Sequence, residues 1–289
     1  MKNYIKILHI KHWTKNGFVI APMIFSFNFL SWELIPKTIY AFFAFSLSSS
    51  FIYILNNIID REKDVKHPVK KNRPIASGRI PVKNAIIIAI FILIPSAGFS
   101  ILCNSQVILV ILCYIIINLL YSFKLKEIPI LDVIIVSTGF LLRLLAGSFA
   151  IGVISSDWIL LTTFFLALFM CFSKRRSEYL VLKKDREKHR LVFSVYNLKL
   201  LEIYIYISAS MAIISYALYA IDPVTTVRFG TGRMVYTVPL VVMGIFRYIM
   251  VTFHNKEEGD PVEIVLKDKI ILAITFTWIC LIVAFILIN

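Results

Sequence analysis

The chain has 289 residues, of which 59% are hydrophobic, with a mean hydropathy of +0.82 and a formal net charge of +14. So apolar a composition, with long uncharged stretches recurring to the end, excludes an ordinary soluble domain and indicates an all-α polytopic membrane protein. The positive charge then reads as membrane topology rather than as a nucleic-acid surface, so no nucleic acid is expected as a partner.

Nine spans are expected, at about 17–35, 38–60, 84–103, 106–123, 130–153, 157–173, 203–221, 235–253 and 270–288. They form a single domain over 1–289. No cleavable signal peptide is expected, because the first apolar run lacks a small-residue cleavage site. Of the 31 Lys and Arg, 26 fall in alternate segments: the N-terminus, 61–83, 124–129, 174–202 and 254–269. The opposite loops hold only Lys37, Arg228 and Arg233. This asymmetry puts the N-terminus in the cytoplasm of a bacterial inner membrane and the C-terminus outside. Cys103, Cys113, Cys171 and Cys280 all lie in apolar runs without metal-type spacing and read as packing residues.

The first segment, KILHIKHWTKNGF, is basic with Trp13 near the interface. It reads as an anchor on the inner leaflet, and the other reading gives Lys15 a substrate phosphate.

The second span ends in YILNNIIDREKD. Asn56, Asp60 and Asp64 are four residues apart, and each such step turns only about 40° around a helix, so their oxygens form one stripe. Tyr53, three residues earlier, points to nearly the same side. Carboxylate and amide oxygens are hard ligands suited to Mg²⁺ that shares a substrate phosphate. A charged juxtamembrane helix end explains Arg61, Glu62 and Lys63 equally well. It does not explain Asn56, an amide about one turn inside an apolar span. The following HPVKKNRPIASGR carries two prolines and a glycine and is expected to be a loop. Its Lys70, Lys71, Arg73 and Arg79 suit phosphate.

The fourth span leads into YSFKLKEIPILD, a second cytoplasmic mouth with Lys126 and Asp132. Arg143 follows Asp132 by almost three whole turns, on the same face and about 16 Å deeper. An arginine there is either functional or part of a structural ion pair. The sixth span ends in CFSKRRSEYLVLKKDREKHR, whose Lys174, Arg175, Arg176 and Glu178 form a third mouth, while Lys183 to Arg190 read as a solvated helix face. Residues 222–234 read as one long external loop, 254–269 as a mixed-charge cytoplasmic loop, and Arg247 lies inside a span. There is no Walker loop, Rossmann glycine pattern, zinc pattern or nucleophile elbow.

NNIIDREKD resembles the first aspartate-rich motif, N-D-x-x-D-x-x-x-D, of the UbiA-type intramembrane prenyltransferases. It is similar above all to their decaprenyl-phosphate phosphoribosyltransferase branch. KHWTKN at 11–16, NNIIDREKDVKHPVKKNRPIASGRIP, YSFKLKEIPILDV, GFLLRLLAGSFAIGV, FFLALFMCFSKRRSE and FRYIM with GDPVEIVLKD carry the likeness in order along the chain. The resemblance implies nine transmembrane helices around a central cavity open to the cytoplasmic side and the lipid. It implies transfer of 5-phosphoribose from phosphoribosyl diphosphate to a polyprenyl phosphate, with release of diphosphate, for a cell-envelope glycan precursor. Asn56 and Asp60 would be Mg²⁺ ligands, with Asp64 acting through a second metal or a water, and Asp60 and Asp64 would be catalytic. Lys15, Tyr53, Lys70, Lys126 and Arg143 would hold the phosphoribosyl diphosphate, with Arg73 and Lys174 as phosphate or headgroup contacts. A homo-oligomer stays open.

Two departures stand out. Asn57 occupies a place where the family usually has Asp; it lies 100° off the stripe, so Mg²⁺ binding is expected to survive. The second aspartate-rich motif is replaced by KRRSE, which counts against ordinary aromatic prenylation. The alternative is a Mg²⁺-dependent prenyltransferase moving an allylic chain from its diphosphate to a small acceptor. A non-catalytic transporter or lipid-binding scaffold is the third reading.

Overall fold

A computed structural model describes residues 2–26, 31–67, 69–182, 191–254 and 261–288. Within them the regular structure is helical throughout, in the order α1 (Lys2–Ile7), a 3₁₀ segment (Ile10–Val19), α2 (Ala21–Phe25), α3 (Leu34–Ile59), α4 (Arg61–Lys66), α5 (Val82–Cys103), α6 (Ser105–Phe123), α7 (Leu131–Ala150), α8 (Asp157–Leu182), α9 (Leu198–Ile221), α10 (Pro223–Phe229), α11 (Val238–His254), α12 (Pro261–Lys267) and α13 (Lys269–Leu287). Seven helical stretches are long and apolar enough to cross a bilayer, and Lys269–Phe285 is apolar but shorter. The chain divides into two compact units, Met1–Ile154 and Ser155–Asn289.

The expected first span at 17–35 is not a membrane-length helix. Its described part is the end of a 3₁₀ segment, the five residues of α2 and the start of α3, with 27–30 outside the described residues. The polar run KHWTKN instead docks this segment on the unit. Trp13 donates its indole N–H to Ser50 Oγ at 3.0 Å, and Ser50 Oγ donates to the Leu8 carbonyl at 2.6 Å. Gly147 on α7 makes the close approach feasible, because a Cβ there would collide with the Val19 carbonyl.

In the first unit α3 is the hub. One side packs Ala41, Ala44, Phe45 and Ile52 against Val107, Ile111, Tyr114 and Ala146 of α6 and α7. Near its end, Ile54 packs with Ile7, Ile75, Ile80, Ala85 and Ala89. Small residues let α5 come close: Ser48 and Ser96 hydroxyls meet at 2.7 Å, and Ser96 also donates to the Ala44 carbonyl. The outer faces of α5 and α6, with Ile90, Phe91, Ile94, Leu109, Leu112 and Ile116, are exposed, as lipid requires.

In the second unit α8 runs unbroken through Lys174–Glu178 to Leu182, past the expected end at 173. The charges stay helical because they find partners. Arg175 pairs with Glu178 at 3.0 Å, one turn on, and Arg176 reaches Glu202 of α9 at 2.9 Å with its guanidinium 3.7 Å from the centre of the Phe253 ring. The expected external loop contains α10, capped by Asp222, whose Oδ2 accepts from the Thr225 N–H. Intramembrane Arg247 is satisfied by Asp268 at 2.9 Å. Asp268 also caps α13 by accepting from the Ile270 and Ile271 N–H groups. The charge run 183–190 lies outside the described residues.

Candidate functional site

The backbone register of the expected oxygen stripe continues across a break in the helix. Asp60 separates α3 from α4 at φ −86, ψ 6, yet its N–H donates to the Asn56 carbonyl at 2.9 Å and the Asp64 N–H donates to the Asp60 carbonyl at 2.8 Å. Two successive four-residue steps therefore keep the three residues in line. Asn56 Oδ1 is buried and accepts no hydrogen bond among the described residues. A buried acceptor without a partner costs about 1–3 kcal/mol.

Each acid of the stripe has its own cation. Lys126 Nζ donates to Asp60 Oδ1 at 2.6 Å, and Arg73 Nη1 donates to Asp64 Oδ2 at 2.8 Å. Asp64 is only 4% exposed, and burial raises its pKa while the Arg73 charge opposes the rise. Lys126 sits in the 3₁₀ turn Leu125–Glu127, whose Glu127 pairs with Lys63 at 3.3 Å, so neighbouring residues of opposite sign join this turn to the α3–α4 junction. Just beyond, Ile130 adopts φ 68, ψ −48, with the Leu131 N–H donating to the Pro129 carbonyl at 2.8 Å. This positive-φ γ-turn at a β-branched residue costs about 1–3 kcal/mol and starts α7, in whose first turn Asp132 is buried.

Behind Arg73 lies a polar network. Arg73 Nη1 also donates to Asn57 Oδ1 at 2.9 Å, and Asn57 Nδ2 meets His9 Nε2 at 2.8 Å. The His9 ring lies 5.3 Å from that of His12 and 5.1 Å from that of Tyr53, and the latter two are 5.0 Å apart. Burial, helped by the charges of His12, Arg73 and Lys15, lowers the His9 pKa to about 3 and keeps the ring neutral.

Arg143 occupies a different environment, deep in the unit. Its Nε donates to Asn16 Oδ1 at 2.7 Å, Nη1 to the Gly139 carbonyl at 2.7 Å and Nη2 to the Tyr114 hydroxyl at 3.3 Å. The rings of Phe45, Tyr114 and Phe140 surround the guanidinium at 5.1–5.2 Å. Asn16 in turn donates to Ser46 and Ser49 on α3. Arg143 thus joins the 3₁₀ segment to α3, α6 and α7, away from the carboxylate face in its bonding.

Of the sequence-derived candidates, Asn56, Asp60, Asp64, Arg73 and Lys126 come together at one end of the first unit. Tyr53 stands in the ring stack beside them, and Lys15 and Lys70 are half-buried in the same unit. Arg79 is turned back on its own loop, donating to Ser77 and the Asn72 carbonyl. Lys174 is half-buried on α8 of the second unit. Asn57, His9, Asn16 and Glu127 were not anticipated as contact-forming residues. Among the described residues no three His, Cys, Asp or Glu side chains cluster as a metal site. The oxygens that fit Mg²⁺ are two carboxylates and the open Asn56 amide, with cations alongside that match phosphate.

Residues 19–273 match the UbiA prenyltransferase family. The chain is 34% identical to a decaprenyl-phosphate phosphoribosyltransferase of Corynebacterium glutamicum, over 97% of this chain and 86% of that protein. It is 32% identical to one of Mycolicibacterium smegmatis, over 95% and 89% of the two chains. Among solved structures, a UbiA homolog from Archaeoglobus fulgidus bound to GPP and Mg²⁺ superposes with a TM-score of 0.72 at 20% identity, over 98% of this chain and 99% of that one. The same homolog bound to DMAPP and Mg²⁺ gives 0.73 at 21%, over 99% and 100%.

Proposed function

The chain belongs to the UbiA prenyltransferase family, and from that premise we propose that it transfers 5-phosphoribose from phosphoribosyl diphosphate to a decaprenyl-type polyprenyl phosphate. The reaction releases diphosphate and makes a lipid-linked precursor for a cell-envelope glycan. The observation that carries the reading is the acid–cation pairing at one mouth, Asp60 with Lys126 at 2.6 Å and Asp64 with Arg73 at 2.8 Å, beside the open Asn56 oxygen. Such a mouth has both the hard oxygens for a divalent ion and the cations for phosphates.

Asn56 and Asp60 would hold Mg²⁺, with Asp64 acting through a second ion or a water. Bound Mg²⁺ supplies a Lewis acid for the charge that develops on the leaving diphosphate. Lys126 and Arg73, already beside the carboxylates, supply fixed positive charge for phosphate oxygens. An oxygen of the polyprenyl phosphate forms the new bond to ribose C1 as the C1–O bond to diphosphate breaks. The acceptor is already an anion, so no strong base is needed. Lys15, Tyr53 and Lys70 are assigned to the phosphoribosyl diphosphate and Lys174 to a phosphate or headgroup. Arg143, assigned by resemblance to the same substrate, serves it by fixing the wall that carries Asn16 and Tyr114.

The fold in this reading is one domain of nine spans, the first of them broken between the 3₁₀ segment and α2, around a central cavity open to the cytoplasm, with the N-terminus inside and the C-terminus outside, in the inner membrane. The second reading, transfer of an allylic chain to a small acceptor, is the family-level one and needs the same Mg²⁺–diphosphate mouth. The two separate when purified protein and Mg²⁺ are given either phosphoribosyl diphosphate with polyprenyl phosphate or an allylic diphosphate with an aromatic acceptor. Product in the first incubation alone is expected, and product in the second alone would replace the reading.

A further inference from the structure

Asn57 stands where the resembling motif has Asp, and it is not a lost ligand. It is 3% exposed, and both ends of its amide are in use. A guanidinium nitrogen can only donate, so the atom 2.9 Å from Arg73 Nη1 is the amide oxygen. The amide nitrogen therefore faces His9 at 2.8 Å, and since it can only donate, His9 Nε2 must accept. The ring proton is left on Nδ1. The same Arg73 Nη1 donates to Asp64 Oδ2 at 2.8 Å, so one neutral amide sets the place of the cation that meets the metal-face carboxylate.

We propose that Asn57 and His9 are matched positioning residues: the Nδ1–H tautomer of His9 orients the Asn57 amide, and that amide fixes Arg73 against Asp64 at the diphosphate mouth. His9 is itself held on two sides. Its backbone is left-handed at φ 51, ψ 40, and its ring is stacked with His12 and Tyr53. The low basicity forced by burial agrees with a ring that accepts rather than donates at Nε2. An aspartate at 57 would accept on both sides. It would require a proton on His9 Nε2 and would compete with Asp64 for Arg73. Asn here and His at position 9 thus belong together, and the N-terminal segment becomes part of the site through them.

The substrate half of this inference rests on the proposed function, whereas the tautomer half does not. The test therefore has two arms. In detergent-solubilised full-length protein labelled with ¹⁵N-histidine, the His9 signals, assigned by their loss in His9→Gln, should show the neutral Nδ1–H tautomer. The isosteric Asn57→Asp should move them to the Nε2–H or doubly protonated form. In the kinetic arm, Asn57→Ala and His9→Leu should raise KM for phosphoribosyl diphosphate by about tenfold or more, with a smaller change in kcat. His9→Gln, whose amide oxygen can still accept from Asn57, should recover most of that loss. An Nε2–H or charged His9 in the parent protein, His9 signals unmoved in Asn57→Asp, or an unchanged KM in Asn57→Ala would overturn the proposal. Loss of the functional reading instead appears as a parent protein that makes no phosphoribosyl lipid, and the histidine spectra then still decide the positioning claim.

Discussion

Lys126 and Asp60, 66 residues apart in the chain, meet at 2.6 Å and join the turn before α7 to the junction between α3 and α4. The pair is only partly exposed, at 12% and 28% of the two side chains, so it is less screened than a surface salt bridge. Its two members have different tasks in the proposed reaction, one toward the metal and one toward phosphate. Asp60→Asn should abolish turnover while the protein stays folded in detergent, because an amide cannot replace the charge of a metal-bound carboxylate. Lys126→Met should lower kcat/KM for phosphoribosyl diphosphate by about 10–100-fold, or roughly 1.4–2.7 kcal/mol. Normal activity of Asp60→Asn at saturating Mg²⁺ would refute the role given to it.

Arg143 should behave as a structural residue in the absence of substrate. Arg143→Lys keeps the charge but loses the fork that reaches Asn16, Gly139 and Tyr114, along with the stacking on three rings. Leaving the Asn16 oxygen unpaired costs about 1–3 kcal/mol. The apparent thermal midpoint of the ligand-free variant in detergent should fall by several degrees. A midpoint equal to that of the parent, with only KM raised, would instead make Arg143 a direct substrate contact.

The contact between Gly147 and the Val19 carbonyl gives a prediction about packing. A methyl at 147 has no room, so Gly147→Ala should force the 3₁₀ segment off α7 and cost about 1–3 kcal/mol. Limited proteolysis at the N-terminal segment should become faster in this variant. Unchanged proteolysis would mean that the segment is held mainly by Trp13 and Asn16.

Asp268 carries a pH prediction. Its pKa is lowered, first by the Arg247 hydrogen bond and then by the Ile271 N–H. A carboxyl whose folded-state pKa lies below its unfolded value, about 4, stabilises the fold above that unfolded value. The contribution is lost as pH falls toward the folded value. Asp268→Ala should therefore lower the apparent unfolding midpoint near neutral pH, the cap alone being worth about 0.5–2 kcal/mol. The gap to the parent should close on acidification below about pH 4. A gap that persists in acid would mean packing, not charge, explains the loss.

Much of the site was legible because it rests on local periodicity. The four-residue spacing of Asn56, Asp60 and Asp64 sets their alignment, and it holds even though the helix is interrupted at Asp60. The long apolar runs marked α3, α5, α6 and α7 to within a few residues. What could not be read depends on contacts between distant segments. KHWTKN looks like an interfacial anchor until Asn16 is seen to bind Arg143 and Ser46. Position 57, off the stripe, gave no sign of a partner because His9 is 48 residues away. The KRRSE edge looked like a helix end because charges usually stop a span; Glu178 and Glu202 allow α8 to continue.

The central claim is that Mg²⁺-assisted loss of diphosphate from an activated sugar phosphate is coupled to its capture by a lipid phosphate. It is tested most directly by mass spectrometry of the lipid fraction together with a count of free diphosphate, after incubating purified protein with Mg²⁺, phosphoribosyl diphosphate and decaprenyl phosphate. The account predicts a lipid carrying one ribose and two phosphates, formed one-for-one with diphosphate and lost on chelation of the metal. Diphosphate released without that lipid, or the lipid formed equally well in Asp60→Asn, would contradict it.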